Sequence, residues 1–535
     1  MIATQGSLDL RNRDALFGAV DGATFDVVVI GGGITGAGVA RDAAMRGLTV
    51  ALVEARDFAS GTSSRSSKMI HGGLRYLAQG DLALVREAAS ERKIVQAIAP
   101  HLARETPFVM PARTSATLTK LRAGLWTFEK LGGVPKSRKH EVWSQADLAA
   151  REPAVNSGDL AGAIVYPEYL TDDARLTLAN VRSAAAHGAS VLNYAAVETM
   201  IMDGDRAVGV IIRDGLGDGD RRARVLGRVI INAAGPWVDA LRAMESAGAP
   251  PRLKLTKGVH LVVPRAKLPV DRTIIIPAAD RRSVFAVPKG ATTYIGTTDT
   301  FYPALDLWPT ITGEDIDYLL AATTKAFASP PLSRADLTSA WSGVRPLVGE
   351  EGKSASEISR RDELWTGPGG VLAIAGGKLT AYRRMAERVV DLVEETLGRK
   401  PGPCRTAAEP LVGGEVDVDA ARRALTARGY DAVHAERMVA LYGSEAETVA
   451  ADGGGPSAEA VHAVLHEGAL SLADYWIRRG ARAWFDPDGG LAALGPAAAA
   501  MAPLLGWSAT ETDNQIATCC ANHAHRTAAF APATA

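Results

Sequence analysis

Cysteine is scarce in this sequence, and net charge is almost absent. Its 535 residues include three cysteines and carry a formal net charge of −1. The cysteines form no CxxC pair and no cluster of metal ligands, so we predict a reducing compartment and assign no metal site. A chain without excess positive charge has no bulk attraction for nucleic acid. The length predicts two or three domains with a large combined core.

Long apolar runs are missing as well. The first residues lack a continuous apolar stretch and carry charged side chains between Asp9 and Asp14, which is unlike a signal peptide. The most apolar window, residues 491–507, is interrupted by Pro496 and Pro503 and is shorter than the ~20 residues that a membrane-spanning helix needs. Any membrane contact is therefore expected to be peripheral.

What the sequence does contain is a glycine turn between a predicted strand and a predicted helix. Residues 27–30, Val-Val-Val-Ile, have the composition of a buried strand, and a helix is predicted from about residue 35 to residue 46. Gly31, Gly33 and Gly36 stand between them in the spacing GxGxxG. This spacing suits a tight turn, the approach of a diphosphate to the backbone, and close packing of the helix on the strand.

An acidic residue follows at the distance that this pattern requires. A second strand is predicted at residues 48–53, and Glu54 after it is placed to accept hydrogen bonds from a ribose hydroxyl pair. A carboxylate there would repel a ribose 2′-phosphate, so the pattern predicts FAD or NAD. The alternative is a glycine-rich turn that packs a helix on a sheet without any ligand. The complete strand, turn, helix and acid favour the cofactor.

The next segment, residues 60–76, is crowded with hydroxyl groups and glycines. It reads Ser-Gly-Thr-Ser-Ser-Arg-Ser-Ser-Lys-Met-Ile-His-Gly-Gly-Leu-Arg-Tyr. Such a composition suits a loop that wraps a polar ligand, although a solvated loop is the simpler reading. Arg75 and Tyr76 lie between Leu74 and Leu77, which indicates side chains that point inward.

Three later stretches also have the composition of a ligand site. Residues 229–237, Val-Ile-Ile-Asn-Ala-Ala-Gly-Pro-Trp, predict a buried strand ending in small residues, where the backbone can close over a cofactor. Residues 371–380, Val-Leu-Ala-Ile-Ala-Gly-Gly-Lys-Leu-Thr, predict a strand, two glycines and the start of a helix. In residues 341–347, Arg345 is suited to grip a phosphate with its planar guanidinium, and a surface ion pair is the alternative.

A run of short β-branched segments predicts an antiparallel sheet that forms the floor of a second domain. These segments are residues 253–263, 273–277, 283–287 and 293–297. In the first of them Val259, Leu261 and Val263 share one face, which leaves His260 on the opposite face. A histidine on a strand is more often structural than catalytic, so this pattern alone gives His260 no role.

Together these motifs resemble one family. Residues 31–38 read Gly-Gly-Gly-Ile-Thr-Gly-Ala-Gly, and residues 62–77 read Thr-Ser-Ser-Arg-Ser-Ser-Lys-Met-Ile-His-Gly-Gly-Leu-Arg-Tyr-Leu. Both are similar to the FAD-dependent glycerol-3-phosphate dehydrogenases of the aerobic, quinone-linked type, as are residues 232–237 and 257–264. Those enzymes belong to a wider group of amine and hydroxy-acid flavoenzymes. The resemblance covers residues 25–400 well and the rest loosely.

The resemblance implies oxidation of glycerol 3-phosphate to dihydroxyacetone phosphate, with the hydride passed to flavin N5 and the electrons to a membrane quinone. It implies that Arg75, Arg345 and Lys378 bind the substrate phosphate and that Tyr76 and Thr380 add hydrogen bonds. His260 becomes the candidate base at C2, or a group that only orients the substrate. Lys378 and the dipole of the helix after it would stabilise negative charge at N1 and O2 of the reduced flavin.

The resemblance also implies that FAD is bound non-covalently, with His71 shaping the loop rather than linked to the flavin. The cofactor-binding residues that it assigns are Gly31, Gly33, Ile34, Thr35, Gly36, Glu54, Ser63, Ser64, Ser67, Lys68, Gly72, Gly73, Leu74, Val197, Ala233, Gly235, Trp237, Gly343, Gly377, Lys378, Leu379 and Thr380.

The expected fold class is α/β with three domains. A discontinuous, Rossmann-like FAD-binding domain of the amine and hydroxy-acid flavoenzyme type comprises residues 20–115, 165–252 and 336–400. An antiparallel-sheet substrate domain comprises residues 116–164 and 253–335, and a C-terminal helical domain comprises residues 401–535. Within the first domain, residues 166–173 are expected to be a loop and residues 174–187 a helix.

A predicted basic amphipathic helix within residues 113–139 raises the question of whether the protein contacts a membrane. Apolar side chains recur at helical spacing from Leu118 to Leu131, with Trp126 beside them and several lysines and arginines within residues 113–139. Such a helix either lies in an anionic membrane interface or is buried against its own domain. The resemblance favours peripheral contact through residues 116–139 on the inner, cytoplasmic face of the membrane. It also allows for a homodimer.

Three functions compete at this point. The first is the quinone-reducing dehydrogenase. The second is an oxidase on the same fold, either a glycerol-3-phosphate oxidase that produces hydrogen peroxide or a related flavin-dependent amine or hydroxy-acid oxidase. The third is a dinucleotide-binding module without turnover, and the presence of Arg75, His260, Arg345 and Lys378 argues against it because such a module has no use for a phosphate cage.

Overall fold

The structure is a computed structural model that describes residues 6–71, 82–131, 139–217, 219–278, 280, 282–349 and 362–531. Its strands are β1 (Thr24–Ile30), β2 (Val50–Val53), β3 (Met69–Ile70), β4 (Arg104–Ala112), β5 (Glu141–Ser144), β6 (Gly162–Leu170), β7 (Ser190–Leu192), β8 (Ala195–Asp203), β9 (Arg206–Asp214), β10 (Arg222–Asn232), β11 (Leu253–Pro264), β12 (Thr273–Pro277), β13 (Ser283–Lys289), β14 (Thr292–Gly296), β15 (Thr300–Phe301), β16 (Ser339–Val348), β17 (Asp362–Thr366) and β18 (Leu372–Gly376).

Its α-helices are α1 (Arg13–Val20), α2 (Ile34–Met45), α3 (Leu82–Ile98), α4 (Ser115–Leu131), α5 (Gln145–Arg151), α6 (Asp173–Ala186), α7 (Val238–Glu245), α8 (Gly313–Ala326), α9 (Tyr382–Thr396), α10 (Val418–Ala427), α11 (Ala432–Tyr442), α12 (Ala446–Ala451), α13 (Pro456–Glu467), α14 (Arg482–Phe485), α15 (Leu494–Leu505) and α16 (Ala509–Thr527). None of these helices has both the length and the apolarity needed to cross a bilayer, a finding that covers the described residues alone.

The first sheet is built around β1, whose valines are fully buried because both faces are covered: Val27 and Val29 face the helices, and Val28 faces a core that includes the β8–β9 hairpin. Its strand order is β17-β18-β10-β1-β2-β7, and the hairpin of β8 and β9 is attached to β10. Strands β18, β10, β1, β2 and β7 run parallel to one another. Helices α2, α6 and α9 pack on this sheet in a single apolar core. The predicted α/β dinucleotide fold is confirmed.

The second sheet has the strand order β15-β11-β14-β13-β12-β4-β6-β3, with β16 paired to β11 and β5 paired to β6. The predicted antiparallel strands in residues 253–297 are confirmed. Strands β3, β4 and β16 and most of β6 also belong to this sheet, although the predicted boundaries assign those residues to the cofactor domain. The two sheets therefore alternate along the chain as often as the predicted domains do, but the points at which they change differ.

The prediction of a loop over residues 166–173 is wrong. Residues as far as Leu170 belong to β6, which pairs with β4 from Ala112 to Arg104. The predicted helix after it is confirmed as α6, and the side chain of Asp172 caps it by accepting a hydrogen bond from the backbone N–H of Arg175.

The C-terminal part is helical, as predicted, from α10 to α16. Within it, residues Asp474–Arg479 form a π-helical turn rather than an α-helix. This domain packs against the second sheet through the tryptophans Trp476 and Trp484, which share a core with Trp341 of β16.

Candidate active site

A cavity of about 1280 Å³ lies between the two sheets. The wall on the side of the first sheet comes from the ends of β1, β2, β10 and β18, and β16 contributes from the second sheet. The loop at residues 60–67 completes the wall between them. These elements come from widely separated parts of the chain, and each of them includes part of a motif identified in the sequence.

The glycine turn after β1 has the close contacts that its sequence requires. Gly31 has a φ of +111°, and a Cβ atom there would lie 2.6 Å from the carbonyl oxygen of Ala233. A Cβ atom on Gly36 would lie 1.9 Å from the carbonyl oxygen of Gly31, so Gly36 allows α2 to pack on the turn. The N-terminus of α2 lies on the cavity wall at Gly33, Ile34 and Thr35, where the positive end of the helix can bind a diphosphate.

Glu54 lies on the cavity wall at the end of β2. Its carboxylate accepts hydrogen bonds from the backbone N–H groups of Gly32 (2.7 Å) and Arg56 (2.9 Å). Burial raises the pKa of Glu54, and those two donors oppose the rise. The position suits an acceptor for a ribose hydroxyl pair beside the glycine turn.

The opposite end of the cavity is formed where β18 leads into α9. Gly376 and Gly377 have φ values of +77° and +75°, a conformation that favours glycine. Lys378, Leu379 and Thr380 follow on the cavity wall in a short 3₁₀ turn that continues into α9. The positive end of this helix therefore faces the cavity, in the orientation that the family resemblance implies.

The floor of the cavity is one face of the second sheet. His260 of β11 and Phe285 of β13 both pair with Gly296 of β14, so their side chains stand in one row on the same face. The row continues to Ile275 of β12, and the ring of Phe285 lies 6.4 Å from that of Phe108 of β4. The opposite face carries Val259, Leu261 and Val263 in a separate core, so the predicted orientation of His260 is confirmed.

His260 is buried directly behind the cavity wall, with 1% of its surface exposed. Its Nε2 lies 2.8 Å from Oγ of Ser67, which lines the cavity, and its ring stacks on Trp341 with centroids 4.8 Å apart. Its Nδ1 has no hydrogen-bond partner in the described part of the chain. Burial, and then the cations Arg345 and Lys68, hold the pKa of His260 well below its ordinary value. The imidazole is therefore neutral at physiological pH.

Arg345 lies on the cavity wall, as predicted. Its guanidinium donates to Oδ1 of Asp299 (3.2 Å), to Oγ1 of Thr297 (3.0 Å) and to the carbonyl oxygen of Thr298 (3.3 Å). A Cβ atom on Gly258 would lie 2.1 Å from Nη2 of Arg345, so glycine at that position makes room for the guanidinium. Arg345 thus pairs with a carboxylate at the cavity wall, and its role in binding phosphate stays a prediction.

Most of the other assigned cofactor residues also line the cavity. They are Thr35, Ser63, Val197, Ala233, Gly235, Trp237 and Gly343. Ser64 and Lys68 lie behind the wall instead. The ammonium group of Lys68 is buried 2.5 Å from Oδ1 of Asp173, and Oδ2 of Asp173 accepts a hydrogen bond from the backbone N–H of Ser66. Lys68 therefore shapes the loop.

The assignments of Gly72, Gly73, Leu74, Arg75 and Tyr76 fall outside the described residues and stay predictions.

Sequence reasoning missed Arg65. Its guanidinium stacks over the ring of Trp308 at 3.9 Å and donates to the carbonyl oxygen of Leu307, and the strand residue Gly343 leaves room for its backbone. Arg65 thus fastens the loop at residues 60–67 to the second sheet. Its position inside a serine-rich run was visible, but Trp308 is more than two hundred residues away and carries no motif.

Three metal-ligating side chains come together elsewhere, in the described part of the C-terminal domain. Glu445, His462 and Glu467 are buried with ligand atoms within 4.8 Å of one another. Arg182 binds Glu445 through two hydrogen bonds of 2.7 Å, and Arg175 lies 2.5 Å from Glu467. Two guanidinium groups already balance the two carboxylates, so a divalent cation would add uncompensated charge to a buried site.

The cavity suits FAD. The glycine turn and the N-terminus of α2 offer a diphosphate site, Glu54 offers a ribose acceptor, and the N-terminus of α9 with Lys378 offers positive charge at the far end. The family described as FAD dependent oxidoreductase matches residues 26–383. The chain is therefore a flavoprotein oxidoreductase whose cofactor is FAD.

The remainder of the chain narrows this class. Residues 404–512 match the family described as the C-terminal domain of alpha-glycerophosphate oxidase. The aerobic glycerol-3-phosphate dehydrogenase of Bacillus subtilis (strain 168) is 40% identical over 501 residues, which are 89% of this chain and 90% of that relative. The enzyme of the same name from Staphylococcus aureus (strain USA300) is 42% identical over 439 residues, which are 79% of this chain and 78% of that relative.

A solved structure agrees with these relatives. The glycerol-3-phosphate dehydrogenase from Bacillus halodurans complexed with FAD has a TM-score of 0.81 at 33% identity, and the alignment covers 98% of this chain and 99% of that chain. The chain belongs to the aerobic, FAD-dependent glycerol-3-phosphate dehydrogenase family.

Proposed function

We propose that this protein oxidises sn-glycerol 3-phosphate to dihydroxyacetone phosphate. The observation that carries the proposal is the meeting, at one cavity, of a dinucleotide cradle with Arg345, Lys378 and the Ser67–His260 pair. The names of the relatives point to the same substrate. When bound, FAD supplies the acceptor for the hydride that leaves C2 of the alcohol.

The substrate phosphate binds between Arg345 and Lys378. Both side chains lie on the cavity wall, and Thr380 stands two residues after Lys378 with its Oγ1 3.3 Å from the carbonyl oxygen of His71. A guanidinium offers a planar fork to a phosphate, and an ammonium adds a point charge. Arg75 and Tyr76 complete this cage in our proposal, on the strength of the resemblance.

His260 is the base for the hydroxyl proton at C2, and it acts through Ser67. The hydroxyl proton passes to Oγ of Ser67 as the proton of Ser67 passes to Nε2 of His260, while the C2 hydrogen leaves with its electron pair. The imidazole ends the step protonated and the alcohol becomes a ketone. The 2.8 Å contact between Ser67 and His260, and the low pKa that keeps His260 neutral beforehand, support this role.

The electron acceptor in our proposal is a membrane quinone. Part of the cavity wall is apolar, where Phe108, Ile275 and Phe285 of the second sheet meet Leu121 of α4. An apolar wall next to a redox cofactor suits a lipid-soluble acceptor better than a charged one.

The same helix supports peripheral contact with the inner face of the membrane. The apolar side of α4 packs inward through Leu125 and Phe128, so the helix is held by its own domain. Its outer side exposes Trp126 (51%), whose ring lies 4.2 Å from Nζ of Lys130, together with the basic residues Lys120 and Arg122. Tryptophan among cations suits an anionic bilayer interface.

An oxygen-using oxidase remains the second candidate, because an apolar wall admits oxygen as well. The deciding experiment is anaerobic addition of glycerol 3-phosphate to the purified yellow protein, followed by reoxidation with a water-soluble quinone or with air. We expect bleaching by the substrate and faster reoxidation by the quinone. A flavin that stays oxidised with glycerol 3-phosphate would refute the substrate, and faster reoxidation by air with formation of hydrogen peroxide would favour the oxidase.

A further inference from the structure

The C-terminal domain contacts a short segment that leads into the cofactor wall. Residues 54–63, here called the cofactor loop, begin at Glu54 and end at Ser63, whose Oγ accepts a hydrogen bond of 2.9 Å from the backbone N–H of Ile34. Both ends of the loop line the cavity. Asp57 lies within the loop and is 1% exposed, with its carboxylate directed into the C-terminal domain.

Two consecutive arginines hold the carboxylate of Asp57. Nε of Arg478 and Nη1 of Arg479 both donate to Oδ2 of Asp57, and Nδ2 of Asn193 donates to Oδ1 at 3.3 Å. Both guanidinium groups are buried. Burial alone would raise the pKa of Asp57, but the positive charges of Arg479 and Arg478 lower it by a larger amount, so that the pKa lies below its ordinary value. A buried charge cluster of this kind is stable only when its geometry is held closely.

The backbone that carries the two arginines is unusual. Asp474–Arg479 form a π-helical turn, a rare form that is frequent at functional sites. Neighbouring side chains on an ordinary α-helix point about 100° apart, yet here both reach a single oxygen atom. The turn is anchored at its start by Asp474, which accepts hydrogen bonds from Nη2 of Arg478 (2.6 Å) and from the hydroxyl of Tyr194 (2.7 Å).

Hydrogen bonds on the other side of the cofactor loop connect it to the wall of the cavity where the adenosine is expected to bind. The backbone N–H of Tyr194 donates to the carbonyl oxygen of Arg56 (2.8 Å), and that of Ala195 donates to the carbonyl oxygen of Glu54 (2.7 Å). Ala195 lines the cavity together with Glu54. Tyr194 thus binds the cofactor loop with its backbone and the π-helical turn with its hydroxyl.

We infer that Arg478 and Arg479 are positioning residues for FAD, and that the π-helical turn holds the cofactor loop in the shape that binds the adenosine ribose and the diphosphate. The two arginines do not touch the cavity, so they act through Asp57. The C-terminal domain, which had no assigned chemistry, thereby controls retention of the cofactor. This inference is independent of the substrate and of the electron acceptor.

The competing explanation is that these ion pairs only join two domains. The chain offers a matched control, because Arg182 of α6 binds Glu445 of the C-terminal domain through two hydrogen bonds of 2.7 Å. Arg182 is 2% exposed and bridges the same parts of the chain, but neither it nor Glu445 lines the cavity. A purely structural role predicts the same behaviour for Arg479→Lys and Arg182→Lys.

The test measures the dissociation constant and the release rate of FAD from the holoenzyme, and the Tm of each variant saturated with FAD. We expect both lysine variants to lower Tm, but only Arg479→Lys to raise the FAD dissociation constant, by about tenfold or more. Competition by ADP, which carries the adenosine end alone, should weaken by a similar factor in Arg479→Lys. Unchanged FAD affinity in Arg479→Lys, or equal loss in Arg182→Lys, would overturn the inference.

A milder variant covers the case in which Arg479→Lys does not fold. Tyr194→Phe removes the contacts of the hydroxyl with Asp474 (2.7 Å), at the start of the π-helical turn, and with Oγ of Ser471 (3.1 Å), just before that turn, and changes no charge. An FAD dissociation constant raised about threefold supports the inference, and an unchanged constant overturns it.

Discussion

Oγ of Ser67 lies 2.8 Å from Nε2 of His260, so that a cavity-lining hydroxyl is joined to an imidazole that is itself buried. In the proposed mechanism, the hydroxyl of Ser67 contacts the substrate, and the imidazole of His260 accepts the proton. This contact also explains how a histidine with 1% of its surface exposed can take part in chemistry at the cavity.

Removal of the Ser67 hydroxyl should therefore slow the proton step. We expect Ser67→Ala to reduce the rate of flavin bleaching by glycerol 3-phosphate about 100-fold, in the range of general acid–base effects, with FAD still bound. His260→Asn should slow it at least as much. Stopped-flow absorbance under anaerobic conditions measures both. The control is Ser66→Ala, whose hydroxyl binds the backbone of Lys68. If Ser67→Ala bleached at the wild-type rate while His260→Asn bleached slowly, proton transfer through Ser67 to His260 would be excluded.

The low pKa of His260 also predicts a pH dependence of stability. Below the ordinary histidine pKa of about 6.5, the unfolded chain binds a proton that the native imidazole refuses, so protonation favours unfolding as the pH falls. Protonation of His260 in the unfolded chain should lower the free energy of unfolding of the wild type by about 1.4 kcal/mol between pH 7.5 and pH 5.5. The difference in unfolding free energy between wild type and His260→Asn should narrow by that amount. Urea titrations at both pH values measure it, and a constant difference would show that native His260 titrates normally.

Arg345→Ala should impair substrate binding and leave the cofactor in place. Hydrogen bonds to charged groups are strong, so we expect KM for glycerol 3-phosphate to rise about 10–100-fold. Turnover of glycerol, which has no phosphate, should change little. The control is Arg334→Ala, which removes a surface ion pair with Asp317. Steady-state kinetics with glycerol 3-phosphate and with glycerol measure the effect. An equal loss of kcat/KM on the two substrates would argue against a contact between Arg345 and the phosphate.

Gly36→Ala should abolish FAD binding. The added Cβ would lie 1.9 Å from the carbonyl oxygen of Gly31, so α2 has to move away from the turn that forms the diphosphate site. Gly18→Ala is the matched control, because its Cβ would meet nothing within 4 Å. The flavin content of the purified proteins measures the effect. A yellow Gly36→Ala protein would mean that α2 tolerates the displacement.

Trp126→Ala should weaken binding to vesicles that contain anionic lipid. The exposed indole supplies the apolar contact of α4, and the surrounding cations supply attraction, so loss of the indole should reduce the bound fraction several-fold. Val433→Ala removes another exposed apolar side chain, on the C-terminal domain, and should have no effect. Co-sedimentation with vesicles measures both variants. Equal binding of Trp126→Ala and wild type would remove α4 from the membrane contact.

The parts of the fold that rest on local signals could be predicted closely. The glycine turn, Glu54 and the orientation of His260 were all predictable, because strand periodicity and glycine spacing act within a few residues. The strand at residues 162–170 was not, since Tyr-Pro-Glu-Tyr at 166–169 has the proline punctuation of a loop. Its pairing with β4 decides its structure, and that pairing depends on chain more than fifty residues away.

The site itself divides in the same way. Motif residues such as Gly33, Lys378 and Arg345 line the cavity, whereas the contacts that connect the motifs had no signal in the sequence. Lys68 pairs with Asp173, which is 105 residues away in the sequence, and Asp57 pairs with Arg478, which is 421 residues away. Such pairs follow from tertiary packing, which no local pattern records.

The position of β1 in the middle of its sheet has a consequence for biosynthesis. Thr24 of β1 pairs with Leu226 of β10, and the carbonyl oxygen of Ala233 closes against Gly31. Translation therefore produces this valine-rich strand and its neighbour β2 long before its other neighbour, β10, and the nascent polypeptide has an unpaired, aggregation-prone strand edge during that interval. Flavin cannot stabilise the strand during this interval, because Ala233 and the later wall residues up to Thr380 must be translated before the binding cavity is complete.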